Sequence, residues 1–185
     1  MNREIATPHQ QRHNRRERDT NTRLGQFIAR NGVILIAERR DFGSVRLSPA
    51  GVVGVNSLII GSAKEETTTV EYGVQIHCAE APEHFDKTRY IDFDEIEELL
   101  AALQYIDQLS MSVLSKDLDD TEVIYITRDR LAFGFGQFKT IGQPFFIRFD
   151  DFEDLIILHD TSFMNLTRKI RKAANHLSGR GAMAS

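Results

Sequence analysis

The stretch YIDFDEIEELLAALQYIDQL, residues 90–109, decides the fold class because it has the spacing of an amphipathic helix. Its apolar residues recur every three or four positions, so they fall on one side of a helix. This stripe comprises Ile96, Leu99, Leu100, Leu103 and Ile106. Asp94 and Glu97 stand at the spacing of a capping box, in which each side chain accepts a hydrogen bond from an otherwise unpaired amide. We therefore predict a helix that is capped near Asp94.

The segments before this helix alternate as strands do. In TTTVEYGVQIHCAE, residues 67–80, alternate residues share one face, which predicts a long strand with a buried side. That face comprises Val70, Tyr72, Val74, Ile76 and Cys78. Farther upstream, FIAR and VILIAE flank Asn31-Gly32, a pair that readily takes the positive φ angles of a hairpin turn. VNSLII at 55–60 predicts one more strand.

Strands resume after the helix. TEVIYITRD at 121–129 and LAFGFGQF at 131–138 predict a strand pair with a tight turn near Asp129-Arg130. The glycine-rich run GFGQFKTIG at 134–142 lies in this pair and opens no helix, so it indicates a bulge or close packing rather than a phosphate-binding loop.

Residues 144–177 allow two interpretations. One is a single helix from Asp150 to Leu177, supported by the echo of FDEIEEL in FDDFEDL at 149–155. The other is a hairpin, PFFIRF then DLIILH, followed by a helix that begins with Asp160 or Thr161 as its cap. The apolar side of that helix would comprise Phe163, Leu166, Ile170, Ala173 or Ala174, and Leu177. We favour the hairpin, because one long helix would bury no consistent face across residues 155–158.

Together these segments predict an α+β fold. It would be a largely antiparallel sheet of about seven to eight strands with two amphipathic helices packed against it, built as two strand-then-helix halves. We expect a single domain over residues 24–177, between a disordered basic arm at 1–23 and a disordered tail at 178–185. A composition of 41% hydrophobic and 27% charged residues is typical of such a globular chain.

Charge is distributed unevenly along the chain. Residues 1–23 contain six arginines and three acidic residues, for a net charge of +3, while the other 17 basic and 24 acidic residues give −7. The arm is therefore a candidate for nucleic-acid binding through Arg12, Arg15, Arg16 and Arg18. The acidic body argues against this function, because nucleic-acid-binding domains are usually basic.

Two groups of residues are candidates for chemistry. Cys78 with His77, His84 or His159 has the composition of a thiol nucleophile and its base, although a Cys on an apolar strand face is more often a small core residue. Asp92, Asp94 and Glu95 could supply oxygen ligands to a hard cation, although acidic residues also favour the start of a helix electrostatically. No cofactor motif is present, and we expect no cofactor.

EYGVQI, YIDFDEIEELLAALQYI and EVIYITRDRLAFGFG, followed by a final strand and amphipathic helix, resemble a loosely defined group of uncharacterised bacterial α+β proteins. The resemblance spans roughly residues 26–177 and implies a fold without an assigned function or functional residues.

We expect a non-catalytic, soluble binding module with a protein partner. The alternatives are a nucleic-acid-associated protein using the arm and a thiol-dependent enzyme using Cys78. A strand such as residues 67–79 could lie at a sheet edge and pair with another subunit or a client peptide. No apolar run spans a membrane, residues 1–23 hold no signal-type stretch, and one Cys cannot form an internal disulfide, so we expect a cytoplasmic protein.

Overall fold

The computed structural model describes residues 21–47, 51–63, 69–80, 85–113, 121–138, 142, 144–149 and 155–182. Its helices are α1 (Arg23–Ile28), α2 (Ile96–Val113) and α3 (Asp160–Gly179). Its strands are β1 (Leu35–Arg46), β2 (Val52–Ser62), β3 (Val70–Glu80), β4 (Phe85–Asp92), β5 (Thr121–Ile126), β6 (Ala132–Gln137), β7 (Phe145–Arg148) and β8 (Ile156–Leu158). A short 3-10 turn, Phe93–Glu95, leads directly into α2. The fold is α+β, as predicted.

The strands form two antiparallel sheets, so the prediction of one sheet with seven to eight strands was wrong. Sheet A has the order β1-β2-β3-β4, and sheet B has the order β5-β6-β7-β8. Within each sheet, every strand pairs with its neighbour in sequence. Alternation identifies a strand and its buried face but not its pairing partners, which is why the sequence did not reveal the break between β4 and β5.

Each long helix packs on the sheet of the other half. α3 follows sheet B in the chain but lies along β1, β2 and β3 of sheet A, whereas α2 follows sheet A and packs on β5 and β6 of sheet B. The two helices also contact each other. One continuous core therefore contains residues from both sheets and both helices.

The predicted helical stripes are confirmed as core. In α2, Ile96, Leu99, Leu103 and Ile106 are buried, and Leu100 packs against them. In α3, the buried residues are Phe163, Leu166, Ile170, Ala173 and Leu177. Full burial of a large apolar side chain contributes about 1.5–3 kcal/mol, so these stripes are a main source of stability.

The start of the folded chain differs from the prediction. FIAR is not a strand, because Phe27 and Ile28 belong to α1, and the Asn31-Gly32 hairpin was wrong. The side chain of Thr22 caps α1 by accepting a hydrogen bond from the Gly25 amide. Leu24 and Phe27 stand at helical spacing and pack on the outer face of sheet A. A segment this short fits the spacing of a helix as well as that of a strand, so its packing on the sheet decides which one it forms.

The helix starts also differ in detail. The Asp94 carboxylate accepts hydrogen bonds from the Arg128 side chain rather than serving the predicted capping box. At α3 the N-cap is His159, whose side chain makes no cap hydrogen bond, so the assignment of the cap to Asp160 or Thr161 was wrong. The hairpin interpretation of residues 144–177 is confirmed, because β7 and β8 pair in antiparallel register before α3 begins.

The glycine-rich run in β6 is a site of close packing, as predicted. Side chains from Phe146 and Phe138 lie directly over Gly134 and Gly136 on the outer face of sheet B. A Cβ atom at Gly134 would overlap the Phe146 ring and lie 2.7 Å from the carbonyl oxygen of Val123. Glycine is therefore required at this position for the ring to reach the strand.

We predict that Gly134→Ala destabilises the protein by about 1–3 kcal/mol, because the added methyl group displaces a fully buried aromatic ring. Urea-induced unfolding would measure the change. Gly179→Ala is the matched control, because space is open around Gly179 and alanine favours helix. Equal stability of Gly134→Ala and the unsubstituted protein would contradict the packing described for β6.

Candidate functional site

Of the residues proposed for thiol chemistry, the three that the structure describes are not brought together on one surface. Cys78 is 1% exposed and belongs to the core on the inner face of β3. His77 precedes it, so its side chain lies on the opposite face, with its ring against Gly54 of β2. His159 is exposed at the start of α3, and His84 lies outside the described residues. The thiol-enzyme hypothesis stays a prediction that this arrangement does not favour.

The acidic residues singled out in the sequence do lie together, at the junction of β4 and α2. The Asp92 side chain is 2% exposed, and its two oxygens accept hydrogen bonds from the amides of Arg23 and Leu24 at 2.9 and 3.0 Å. These amides belong to the first turn of α1, where the helix dipole favours a negative charge. Asp92 therefore joins α1 to the end of β4.

Arg128, in the turn between β5 and β6, engages the same cluster from sheet B. Its guanidinium lies 3.0 Å from Asp94 and 3.6 Å from Asp92, and its amide donates to Glu95 Oε1 at 2.7 Å. Arg23 also contacts Asp94, with its Nη2 atom 3.0 Å from the same carboxylate oxygen, Oδ1. We call Asp92, Asp94, Glu95, Arg23 and Arg128 the junction cluster. It ties α1, the start of α2 and sheet B to one another.

The arrangement of the junction cluster is that of an ion-pair network. Each of its three carboxylates accepts from an arginine or from a backbone amide. Within the described part of the chain, no group of three or more His, Cys, Asp or Glu side chains is arranged to hold a metal ion.

Charges and burial shift the pKa values of two members of the junction cluster and of Tyr125, which the charge of Glu95 affects. Burial raises the pKa of Glu95, and the amide and charge of Arg128 only partly oppose this. The hydrogen bond with Asp94 raises the pKa of Arg128. Burial, together with the negative charges of Glu95 and Glu98, raises the pKa of Tyr125 to about 12.

The sheet edges differ in how they are protected. β4 is one edge of sheet A, and the amide of Tyr90 points outward to the carboxylate of Asp129, at 2.8 Å. The turn that carries Arg128 thus also covers β4. The predicted edge strand, residues 67–79, was wrong because β3 lies between β2 and β4.

β1 is the other edge of sheet A, and sequence analysis missed it. It is 12 residues long, most of its side chains are exposed, and it pairs only with β2 among the described strands. The charged run ERRD at residues 38–41 was an available signal, because charged residues commonly protect an exposed strand edge.

A bulge and α3 fix the geometry of β1. The register of β1 against β2 shifts between Asp41 and Ser44, where Gly43 takes a φ of 84°. The Asp41 side chain accepts from the Gly43 amide at 2.6 Å, and Lys169 of α3 donates to the carbonyl of Phe42 at 2.9 Å. Nearer the start of β1, Glu38 forms an ion pair with Arg180, which follows α3, with 2.7 Å between Arg180 Nη2 and Glu38 Oε2. Among the described residues, β1 is therefore held by β2 and α3, and no strand pairs with its other edge.

We predict that Glu95→Gln stabilises the protein increasingly as pH rises. The raised pKa means that folding favours the protonated form, a contribution present below the ordinary value of 4.5 and lost as pH rises through the folded-state pKa. Glutamine keeps the acceptor for the Arg128 amide and does not ionise.

Urea unfolding of both proteins between acidic and neutral pH tests this expectation. Glu97→Gln, at an exposed position two residues farther on in α2, controls for the change in net charge. A stability difference between Glu95→Gln and the unsubstituted protein that does not vary with pH would show that the fold does not disfavour the charged form.

Known proteins offer no guide to function, so the junction cluster and the sheet edges are the features from which a function can be argued. No protein-family model matches the chain, and neither the curated proteins nor the solved structures contain a match. None of the described helices is long and apolar enough to cross a membrane.

Proposed function

We propose that the protein is a non-catalytic binding module that recognises a protein partner by strand addition at β1. The observation that carries this proposal is the long β1 edge, which is paired on one side only among the described residues. Edges of this kind bind extended segments because their backbone groups lack partners within the sheet.

The backbone groups available at this edge follow from the pairing with β2. The carbonyl of Ile34 accepts from the amide of Ala63 at 3.0 Å, so the backbone groups of Ile34 face β2. Backbone direction alternates along a strand, and the groups of Leu35, Ala37 and Arg39 therefore face outward. They form a ladder that an added strand would complete.

Exposed apolar side chains favour recognition over simple edge protection. Ile36 is 66% exposed and Ile34, just before the strand, is 59% exposed. The charged residues that follow limit unspecific pairing, whereas two exposed isoleucines at one end of the same edge provide apolar contact area. This combination supports a specific partner.

The other sheet edges support binding less well. On β4, the outward-facing amide of Tyr90 already donates a hydrogen bond to Asp129, and β8 is only three residues long. β5 has six residues, half the length of β1. The number of backbone hydrogen bonds that an added strand can form scales with the length of the edge, which favours β1.

We predict that Ala37→Pro abolishes partner capture without unfolding the protein. The amide that proline removes faces outward, so no hydrogen bond to β2 is lost, and stability should change by less than about 1 kcal/mol. Ala37→Val is the matched control, because it adds similar bulk and keeps the amide.

The measurement is co-purification of the full chain and both variants from the native cell, with identification of the retained proteins by mass spectrometry. Proteins retained by Ala37→Val and lost with Ala37→Pro would support the proposal. An unchanged set of retained proteins with Ala37→Pro would refute β1 as the binding edge.

The net charge of +3 in residues 1–23 favours nucleic-acid binding as a second candidate function. The four candidate arginines, Arg12, Arg15, Arg16 and Arg18, lie outside the described residues. Thr22 and Arg23 instead belong to the folded domain, because Thr22 caps α1 and the amide of Arg23 donates a hydrogen bond to Asp92. A deletion that tests the arm should therefore end at residue 20.

If the arm binds nucleic acid, replacing those four arginines with glutamine should eliminate salt-sensitive binding to DNA or RNA while leaving the fold intact. Gel-shift measurements at low and high salt would show the loss. Absence of any shift with the unsubstituted protein at low salt would exclude this function.

A further inference from the structure

We infer that the occupant of the β1 edge is a second copy of this chain, paired antiparallel about a two-fold axis at Arg39. This inference rests on the proposed function, because it names the partner of the same edge. It follows from the pattern of side chains on one face of β1 and from the direction of the backbone groups.

The relevant face of β1 is the side toward α3. Glu38 pairs with Arg180, which follows α3, and Phe42 packs against His176 of α3, with ring centroids 5.9 Å apart. Arg40 lies 5.6 Å over the same Phe42 ring, and Ile36 shares the face by alternation. The face therefore reads, in order, apolar, negative, positive, apolar.

Such a pattern is complementary to itself under a two-fold rotation. In a symmetric dimer, residue i of one copy contacts residue j of the other, and j then contacts i. Reversing an apolar, negative, positive, apolar sequence places negative against positive and apolar against apolar. The same face cannot match itself in this way if the two copies run parallel.

Backbone direction restricts the registers that are allowed. Before the bulge, the outward groups belong to odd-numbered residues of β1, from Leu35 to Asp41, so antiparallel copies must pair odd with odd and even with even there. With Arg39 on the axis, Ala37 pairs with Asp41 of the other copy, and the backbone groups of these residues exchange hydrogen bonds.

This register also matches the side chains. Glu38 lies opposite Arg40 of the other copy, and Ile36 lies opposite Phe42, with each pair occurring twice. Moving the axis to residue 38 would place Glu38 opposite Glu38 with no opposite charges paired. Moving it to residue 40 would place Arg40 opposite Arg40 and Glu38 opposite Phe42, with Arg39 opposite Asp41 on the other face. Opposite charges across strands stabilise by roughly 0.2–1 kcal/mol, and like charges destabilise. Of these registers, the one centred on Arg39 is the register that matches both the charged and the apolar residues on the side toward α3, because it joins Glu38 with Arg40 and Ile36 with Phe42.

The contacts outside the four matched pairs are compatible with this dimer. The two Arg39 side chains meet at the axis on the other face of the sheet, a like-charge pair whose cost is comparable to the gain from one Glu38–Arg40 pair. Each Arg39 also has Asp41 of the other copy as a diagonal neighbour within reach of a long side chain. Arg180 is already paired with Glu38 within each copy. Ile36, 66% exposed, gains an aromatic contact.

Exchange of charges tests the register directly. Glu38→Arg makes both cross-pairs positive, and Arg40→Glu makes both negative, so each variant alone should dimerise at least about tenfold more weakly. Mixing the two variants in equal amounts should restore dimers, because every cross-pair again joins opposite charges. Analytical ultracentrifugation of the full chains, alone and mixed, measures both effects.

Two further variants keep the test specific. Arg180→Ala removes the pair that Glu38 makes within its own copy and should leave dimerisation unchanged. Ala37→Pro should abolish the dimer. Because the charged positions are exposed, the exchange variants should fold even if the proline variant does not, and circular dichroism verifies this.

The outcomes separate this inference from the proposed function. A protein that is monomeric at all concentrations refutes the second copy as occupant, while loss of captured proteins with Ala37→Pro would still support strand addition by another partner. A dimer that is unaffected by charge exchange places the interface elsewhere and overturns the inference. A dimer weakened by each exchange and restored by mixing supports it.

Discussion

The exchange of helices between the two halves is the constraint on which the rest of the structure depends. α3 covers the inner face of sheet A and α2 packs on sheet B, so neither strand-then-helix half can bury its apolar face with its own helix alone. A sheet with one exposed apolar face is not stable in water. The two sheets are consequently parts of one core, although no described strand of one sheet pairs with the other.

The junction cluster follows from this arrangement. Packing both sheets against a shared pair of helices brings the turn between β5 and β6 beside the end of β4 and the start of α2. Arg128 and Asp129 of that turn then meet two needs: Arg128 engages the buried carboxylates, and Asp129 accepts from an outward amide of β4. With β4 covered in this way, β1 is the edge of sheet A that no other described strand pairs with on its outer side. The candidate interface and the electrostatic cluster thus have a common origin in the exchange of helices.

Periodicity predicted the features that depend on local sequence. The stripes of α2 and α3, the buried face of β3 and the hairpin before α3 could all be read from the spacing of apolar residues, because burial follows that spacing. The missed features depend on contacts distant in sequence. Asp94 lies 34 residues from Arg128 in the sequence, and Asp92 lies 69 residues from Arg23, whose amide donates a hydrogen bond to it. Neither pairing therefore leaves a signal in the local sequence. For the same reason the sequence predicted an edge at β3, whose neighbours on both sides are fixed only by the sheet order.

Charged residues on an exposed strand serve two purposes that are usually discussed separately. They discourage pairing with arbitrary strands, because an unmatched charge at a newly buried edge loses solvation without compensation. They also permit pairing with a strand whose charges are complementary in one register only. On β1 the order of Glu38 and Arg40 between Ile36 and Phe42 satisfies both requirements, since a shift of the axis by one residue no longer matches Glu38 with Arg40 or Ile36 with Phe42. An edge that only needed protection would gain as much from charges of a single sign, whereas opposite signs in this order provide a specific match to a second copy.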